Sequence, residues 1–232
     1  MITFKQYLRE EERDLVKFLR DNCDEAVHDM FKADHYLWRG ANKRGRELFK
    51  YGDTEYEGYF GFPRDDRKPR NTPGWAHDAI NDFFKKEFGE PLRSNSVFAA
   101  SVRVTAGGYG SSFALIPIGP YKIYWAPKVE DLTTLIFPDL DEDEENEKVM
   151  AGGGLHWIHQ KIPFSEVTRE MQIDYINKLL FHADYREGPN VDALKSRSEL
   201  MVRCKSYLAL SISESDLTKV IQDAAVDEKV EQ

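Results

Sequence analysis

The chain of 232 residues holds only two cysteines, Cys23 and Cys204. That is too few for a disulfide scaffold or a four-cysteine metal site. It has no run of 18 apolar residues, which excludes a membrane-spanning helix. Its beginning, MITFKQYLREEERD, lacks the basic-then-apolar order of a secretory signal. A soluble protein of a reducing cytoplasm is the expectation. A surplus of base is missing as well, since the net charge is −9. Seven acids and no base fall in the run 139–147, and without them the charge is −2. The tail 213–232 carries a further −4, which leaves the body at about +2. A duplex nucleic-acid binder held by phosphate contacts shows the opposite balance.

What is present is core material. Hydrophobic residues make up 41% of the chain and aromatics 12%, which excludes wholesale disorder. Residues 1–33 predict helix: Thr3 offers a cap, and Phe4, Tyr7, Leu8, Leu15, Phe18 and Leu19 recur at three- and four-residue spacing. Cys23, Val27, Met30 and Phe31 continue the pattern. A short strand, 35–39, ends at Gly40, and 41–72 reads as a long excursion of the kind that is usually functional or disordered. Thr72-Pro73 opens a helix that Gly89 and Pro91 stop. From Ser96 the period becomes that of strands: 97–101, then 113–118 and 121–126 joined by Gly119-Pro120 as a tight hairpin. Ser165 begins a further helix, 200–204 and 207–211 read as paired strands, and Ser213 or Ser215 caps a last amphipathic helix. The expectation is one α+β domain with an antiparallel or mixed sheet, made of a helical segment 1–33, a core 36–212 and a C-terminal helix with an acidic tail 213–232.

Three strand-borne positions carry polar groups where apolar ones are the rule: Arg39 in LWRG, Ser101 in VFAAS and Glu199 in SRSELMV. A charge buried on a strand without a partner costs several kcal/mol. Such residues therefore sit at strand ends facing water, or in a cleft with something to bind.

In this order, with AGGYG following VFAAS, the three motifs resemble the arginine–serine–glutamate branch of the ADP-ribosyltransferase superfamily. The stretch RKPRNTP before a helix and the IPIG–YWAP segment make the chain similar to its phage-encoded members in particular. The resemblance covers 36–212 and implies a split pair of antiparallel sheets with NAD in the cleft between them, and no metal. It implies that Arg39 holds the phosphates or the adjoining ribose, as a guanidinium forking onto two oxygens does well. Ser101 would bond near the nicotinamide ribose and brace the acid, with Ser96 as the fallback. Tyr109 would stack on the nicotinamide, with small residues at 106–110 letting the backbone approach, and Trp38 and Gly40 would frame the amide end.

Glu199 would be the catalytic acid. Cleaving the nicotinamide–ribose bond develops positive charge on the sugar, and a carboxylate gripping the 2′-hydroxyl stabilises that charge where it forms. The implied function is mono-ADP-ribosyl transfer from NAD to a host macromolecule, a protein in preference to a nucleic acid. The alternatives are an NAD glycohydrolase, RNA 2′-phosphate transfer in the same cleft, or a non-enzymatic, virion-type protein on the same fold. Two features depart from the family pattern. Arg197 stands two residues before Glu199, where many members carry Glu or Gln to position the acceptor, and the serine motif is reduced to Ala-Ala-Ser.

Other signals are weaker. His156, His159 and His182 lack the spacing of a metal site and read as surface or cleft-lining residues. In 43–70 eight bases face six acids with six aromatics interleaved, a pattern that can stack single-stranded nucleic acid but more simply packs back onto the body. In the transferase reading this stretch is an acceptor-recognition element or lid. The acidic run 139–147 lacks the central glycine of a calcium loop.

Overall fold

A computed structural model describes residues 14–42, 47–68, 72–127, 129–136 and 168–226. Thr3, Ser165, His156, His159 and the run 139–147 lie outside them. The architecture is α+β with an antiparallel sheet. Helix α1 (Leu15–Asn22) is capped by the Asp14 carboxylate, which accepts from the Lys17 N–H, and α2 (Asp24–Ala33) follows it directly. Their stripes bury Leu15, Phe18, Leu19, Val27 and Met30, while Phe31 is half exposed. Cys23 between them is sealed, and burial pushes its thiol and that of Cys204 up to about 12.

Strand β1 (Trp38–Ala41) carries the LWRG motif through Gly40 instead of stopping there. The excursion expected at 41–72 contains β2 (Glu47–Tyr51) and β3 (Thr54–Gly61), an antiparallel hairpin. Gly52 takes a positive φ at the first of the two turn positions, as a tight hairpin requires. Lys50 and Glu55 sit opposite each other and form an ion pair. Helix α3 (Gly74–Phe88) starts one residue after the expected position, with Pro73 at its cap, and ends at Gly89 in the left-handed region. Helix α4 (Leu92–Asn95) leads into β4 (Val97–Ala100), and α5 (Arg103–Gly107) is a short helix that runs into the AGGYG segment.

Gly119-Pro120 is not a hairpin turn. It lies inside one strand, β5 (Ser111–Trp125), which pairs with β7 (Glu199–Leu210) along nearly its whole length. Ile118 pairs with Ser206 and Tyr121 with Cys204, so two residues of β5 oppose Lys205 alone. This is a bulge, with Gly119 at positive φ and Pro120 at a position that needs no ladder donor. The two strands expected at 200–204 and 207–211 are likewise one strand, β7. Helices α6 (Leu132–Ile136), α7 (Arg169–Ala183), α8 (Asn190–Lys195) and α9 (Glu214–Ala225), with the two-residue β6 (Arg186–Glu187), complete the fold. Thr168 caps α7 and Ser213 caps α9, each accepting a backbone N–H.

The strand order is β2-β3-β7-β4-β1-β5-β6, and β5 also pairs with β7. β7, β4, β1 and β5 therefore close into a ring, β3 continuing the edge of β7 beyond β4. Side chains alternate across β7. Leu200 and Val202 join the core with α1, α2, α8 and α9. Met201 joins a second core with Tyr124 and helices α3, α4, α6 and α7. No helix among the described residues is long and apolar enough to cross a membrane.

Candidate functional site

The motif strands are neighbours. Trp38 on β1 pairs with Ala100 on β4, and Ala100 pairs with Glu199, the first residue of β7. Glu199 and Met201 share a face of β7, opposite Ala100 and Phe98 of β4. On this side, at the ends of β4 and β7, lies a cavity of about 260 Å³, near the lower limit for small-molecule sites. Arg39, Gly40, Trp38, Tyr109 and Glu199 all line it.

Glu199 is fixed from three directions. Its backbone N–H donates to the Val129 carbonyl, its Oε2 accepts from the Leu132 N–H at 3.0 Å, and its Oε1 lies 3.6 Å from Arg93 Nη1. Arg93 is held in turn by the hydroxyls of Thr72 and Thr133. Burial is the largest influence on the Glu199 carboxyl and holds it above the ordinary carboxylate range; Asp131 pushes the same way, while Arg93, the Leu132 N–H and Arg67 oppose. A partly buried acid with several oriented donors suits a role in which a carboxylate meets a developing positive charge.

Arg39 projects from β1 with its guanidinium 5.6 Å from the centre of the Tyr207 ring. Its Nε is buried and has no hydrogen-bond partner among the described residues. Gly40 is required by packing: a Cβ there would strike the Ala106 carbonyl of α5 and lie 2.7 Å from Tyr109 Cβ. Trp38 is buried, with Arg103 stacked 4.9 Å from its ring. Tyr109 is 61% exposed, and its hydroxyl donates to Asp131 Oδ2 at 2.6 Å. The other Asp131 oxygen accepts from the N–H groups of Thr133 and Thr134, so this contact ties the turn after α5 to the start of α6.

Not every sequence-predicted residue converges. Ser101 follows β4 and is buried, but its hydroxyl donates to the Ser196 carbonyl and it does not line the cavity. It braces the segment leading into β7, so it reaches the acid through the backbone. Ser96 is buried at the opposite end of β4, away from the lining residues. Arg197 is exposed and not among them, and His182 is exposed on α7. Among the described residues no group of three His, Cys, Asp or Glu side chains could hold a metal ion.

Sequence reasoning missed Arg67, Arg93, His77 and Asp131, all of which line the cavity. Arg67 and Arg93 stand 4.2 and 4.9 Å from the centre of the Phe98 ring. The only signal was that Arg67 belongs to the basic stretch RDDRKPR; Arg93 and His77 carry none. No protein-family model, curated protein or solved structure matches the chain.

Proposed function

We propose that the protein is an NAD-consuming mono-ADP-ribosyltransferase. The observation that carries this reading is the meeting of Arg39, Tyr109 and Glu199, 160 positions apart from first to last, around one cavity. The adjacency of β1, β4 and β7, with the ring they close through β5, supports it as a version of the split-sheet fold. In this reading Arg39 takes the phosphates of NAD, its orphaned Nε supplying a donor. Tyr109 packs on the nicotinamide from the exposed rim. Glu199, held in place by Arg93 and the Leu132 N–H, accepts from the ribose 2′-hydroxyl as the glycosidic bond breaks and positive charge builds on the sugar. Nicotinamide leaves, and a macromolecular nucleophile, a protein in preference to a nucleic acid, adds to the anomeric carbon. The commitment of Ser101 to Ser196 favours a second reading, a non-enzymatic NAD-type pocket on the same scaffold.

Labelled NAD incubated with the protein and a cell lysate separates the two. Transfer of label is expected with the native chain and a loss of at least about 10²-fold with Glu199→Gln. Equal transfer by both proteins overturns the assignment of Glu199. Nicotinamide release without labelled macromolecule gives a glycohydrolase, and NAD binding without either gives the second reading.

A further inference from the structure

We propose that Arg67, Arg93 and His77 form a phosphate subsite in this cavity, beside Glu199. The proposal deepens the transferase reading by naming a charged group of its ligands, but the anion site itself does not depend on NAD chemistry.

The first observation is an imbalance of charge. Three guanidiniums, those of Arg39, Arg67 and Arg93, share the cavity wall. Of the carboxylates there, Glu130 is exposed, and both Asp131 oxygens are committed to backbone N–H groups and to Tyr109. Glu199 contacts Arg93 alone at ion-pair distance. Among the described residues neither Arg39 nor Arg67 has a carboxylate within 4.0 Å. Arg67 and Arg93 are instead stacked on one ring, that of Phe98, which orients both planar forks. Burial, then the nearby Arg93 and Arg39, lower the Arg67 guanidinium to about 10. Like charges gathered in a desolvated cleft repel until an anion neutralises them.

The second observation is an orphaned ring nitrogen. His77 is 5% exposed. The Asn81 Oδ1 accepts from the Ser94 N–H, which turns the Asn81 amide nitrogen towards His77 Nε2 and Ser94 Oγ. Nε2 also lies 3.0 Å from Ser94 Oγ, so that nitrogen is engaged, and burial with the nearby Arg93 lowers the ring's affinity for a proton. The other ring nitrogen, Nδ1, is buried and has no partner among the described residues. Two guanidinium forks on one ring, beside a buried ring nitrogen without a partner, call for an anion with more than two oxygens and more than one charge. A phosphate meets that description better than a carboxylate.

The phosphate has two possible sources: the diphosphate of the dinucleotide, or a phosphate carried by the acceptor. Calorimetric titration of the full chain with inorganic pyrophosphate, at fixed ionic strength with chloride as the control, tests the subsite. Binding to the wild type is expected, weakened about tenfold or more in Arg67→Gln and by less in Arg67→Lys, which keeps charge without the fork. A pyrophosphate-induced shift of the His77 Nδ1 resonance in nitrogen NMR is the second expected result. Equal affinity in wild type and Arg67→Gln, or no binding by the wild type at millimolar pyrophosphate, overturns the proposal. Repeating the titration with saturating NAD assigns the source: competition points to the dinucleotide's own diphosphate, simultaneous binding to the acceptor. Pyrophosphate binding that persists when no label transfers from NAD would leave the subsite standing and remove the transferase reading.

Discussion

Glu199 shows how one side chain can serve a site and burden a fold. Burial raises its carboxyl above the ordinary value of 4.5 despite Arg93 and the Leu132 N–H. The folded chain thus holds that proton more tightly than the unfolded chain. The resulting contribution to stability is full below the unfolded value and is lost as pH rises through the folded one. Glu199→Gln has no such loss and keeps an acceptor for the Leu132 N–H. It is expected to melt above the wild type at pH 7, with the difference shrinking towards pH 4 in thermal melts. A difference that does not change with pH would contradict the raised carboxyl. Arg39, Tyr109 and Glu199 were legible in the sequence because each interrupts or follows an apolar strand in a recognisable order. Arg67, Arg93 and His77 were not, because they come from a connecting segment, a helix of four residues and a helix face where no period marks a cavity.

Among the elements, β1 and α5 meet so closely that a cavity wall depends on a missing side chain. Gly40→Ala would drive a methyl group into the Ala106 carbonyl and against Tyr109. Since backbone cannot rotate away, we expect about 1–3 kcal/mol of destabilisation in chemical denaturation. Tyr109, and with it any ligand affinity of the cavity, should shift as well; a variant of wild-type stability would show that α5 moves freely. The longer α3 and α9 were read from periodic stripes and from the local signals at Gly89 and Ser213, whereas the short α4, α5, α6 and α8 were not, since so few residues show no period. The sheet was read less well for a physical reason. Gly119-Pro120 has turn chemistry, yet pairing with β7 on both sides of it makes a bulge more favourable than a reversal. The β2–β3 hairpin hid because it is an edge, with Leu48 exposed and Glu47, Lys50, Glu55 and Glu57 facing outward or partly so.

For the molecule as a whole, β7 belongs to both cores, Val202 on one side and Met201 on the other. Neither helical layer can detach without exposing that strand, so the two cores are expected to unfold together. Met201→Ala and Leu208→Ala, both of buried side chains, should each cost about 2–5 kcal/mol and lower one shared transition. Tryptophan fluorescence and far-ultraviolet circular dichroism would then report a single midpoint in each variant. Separate midpoints would mean that the helices of the second core fold on their own. The α+β class was visible in the alternation of helical and strand periods. The closed ring of β7, β4, β1 and β5 was not, since ring closure leaves no mark on local patterning.

The Tyr109–Asp131 contact joins segments on either side of β5. A single phenolic proton therefore fastens two stretches of the cavity lining to each other, and Tyr109→Phe, which lacks it, would leave them joined only through the sheet.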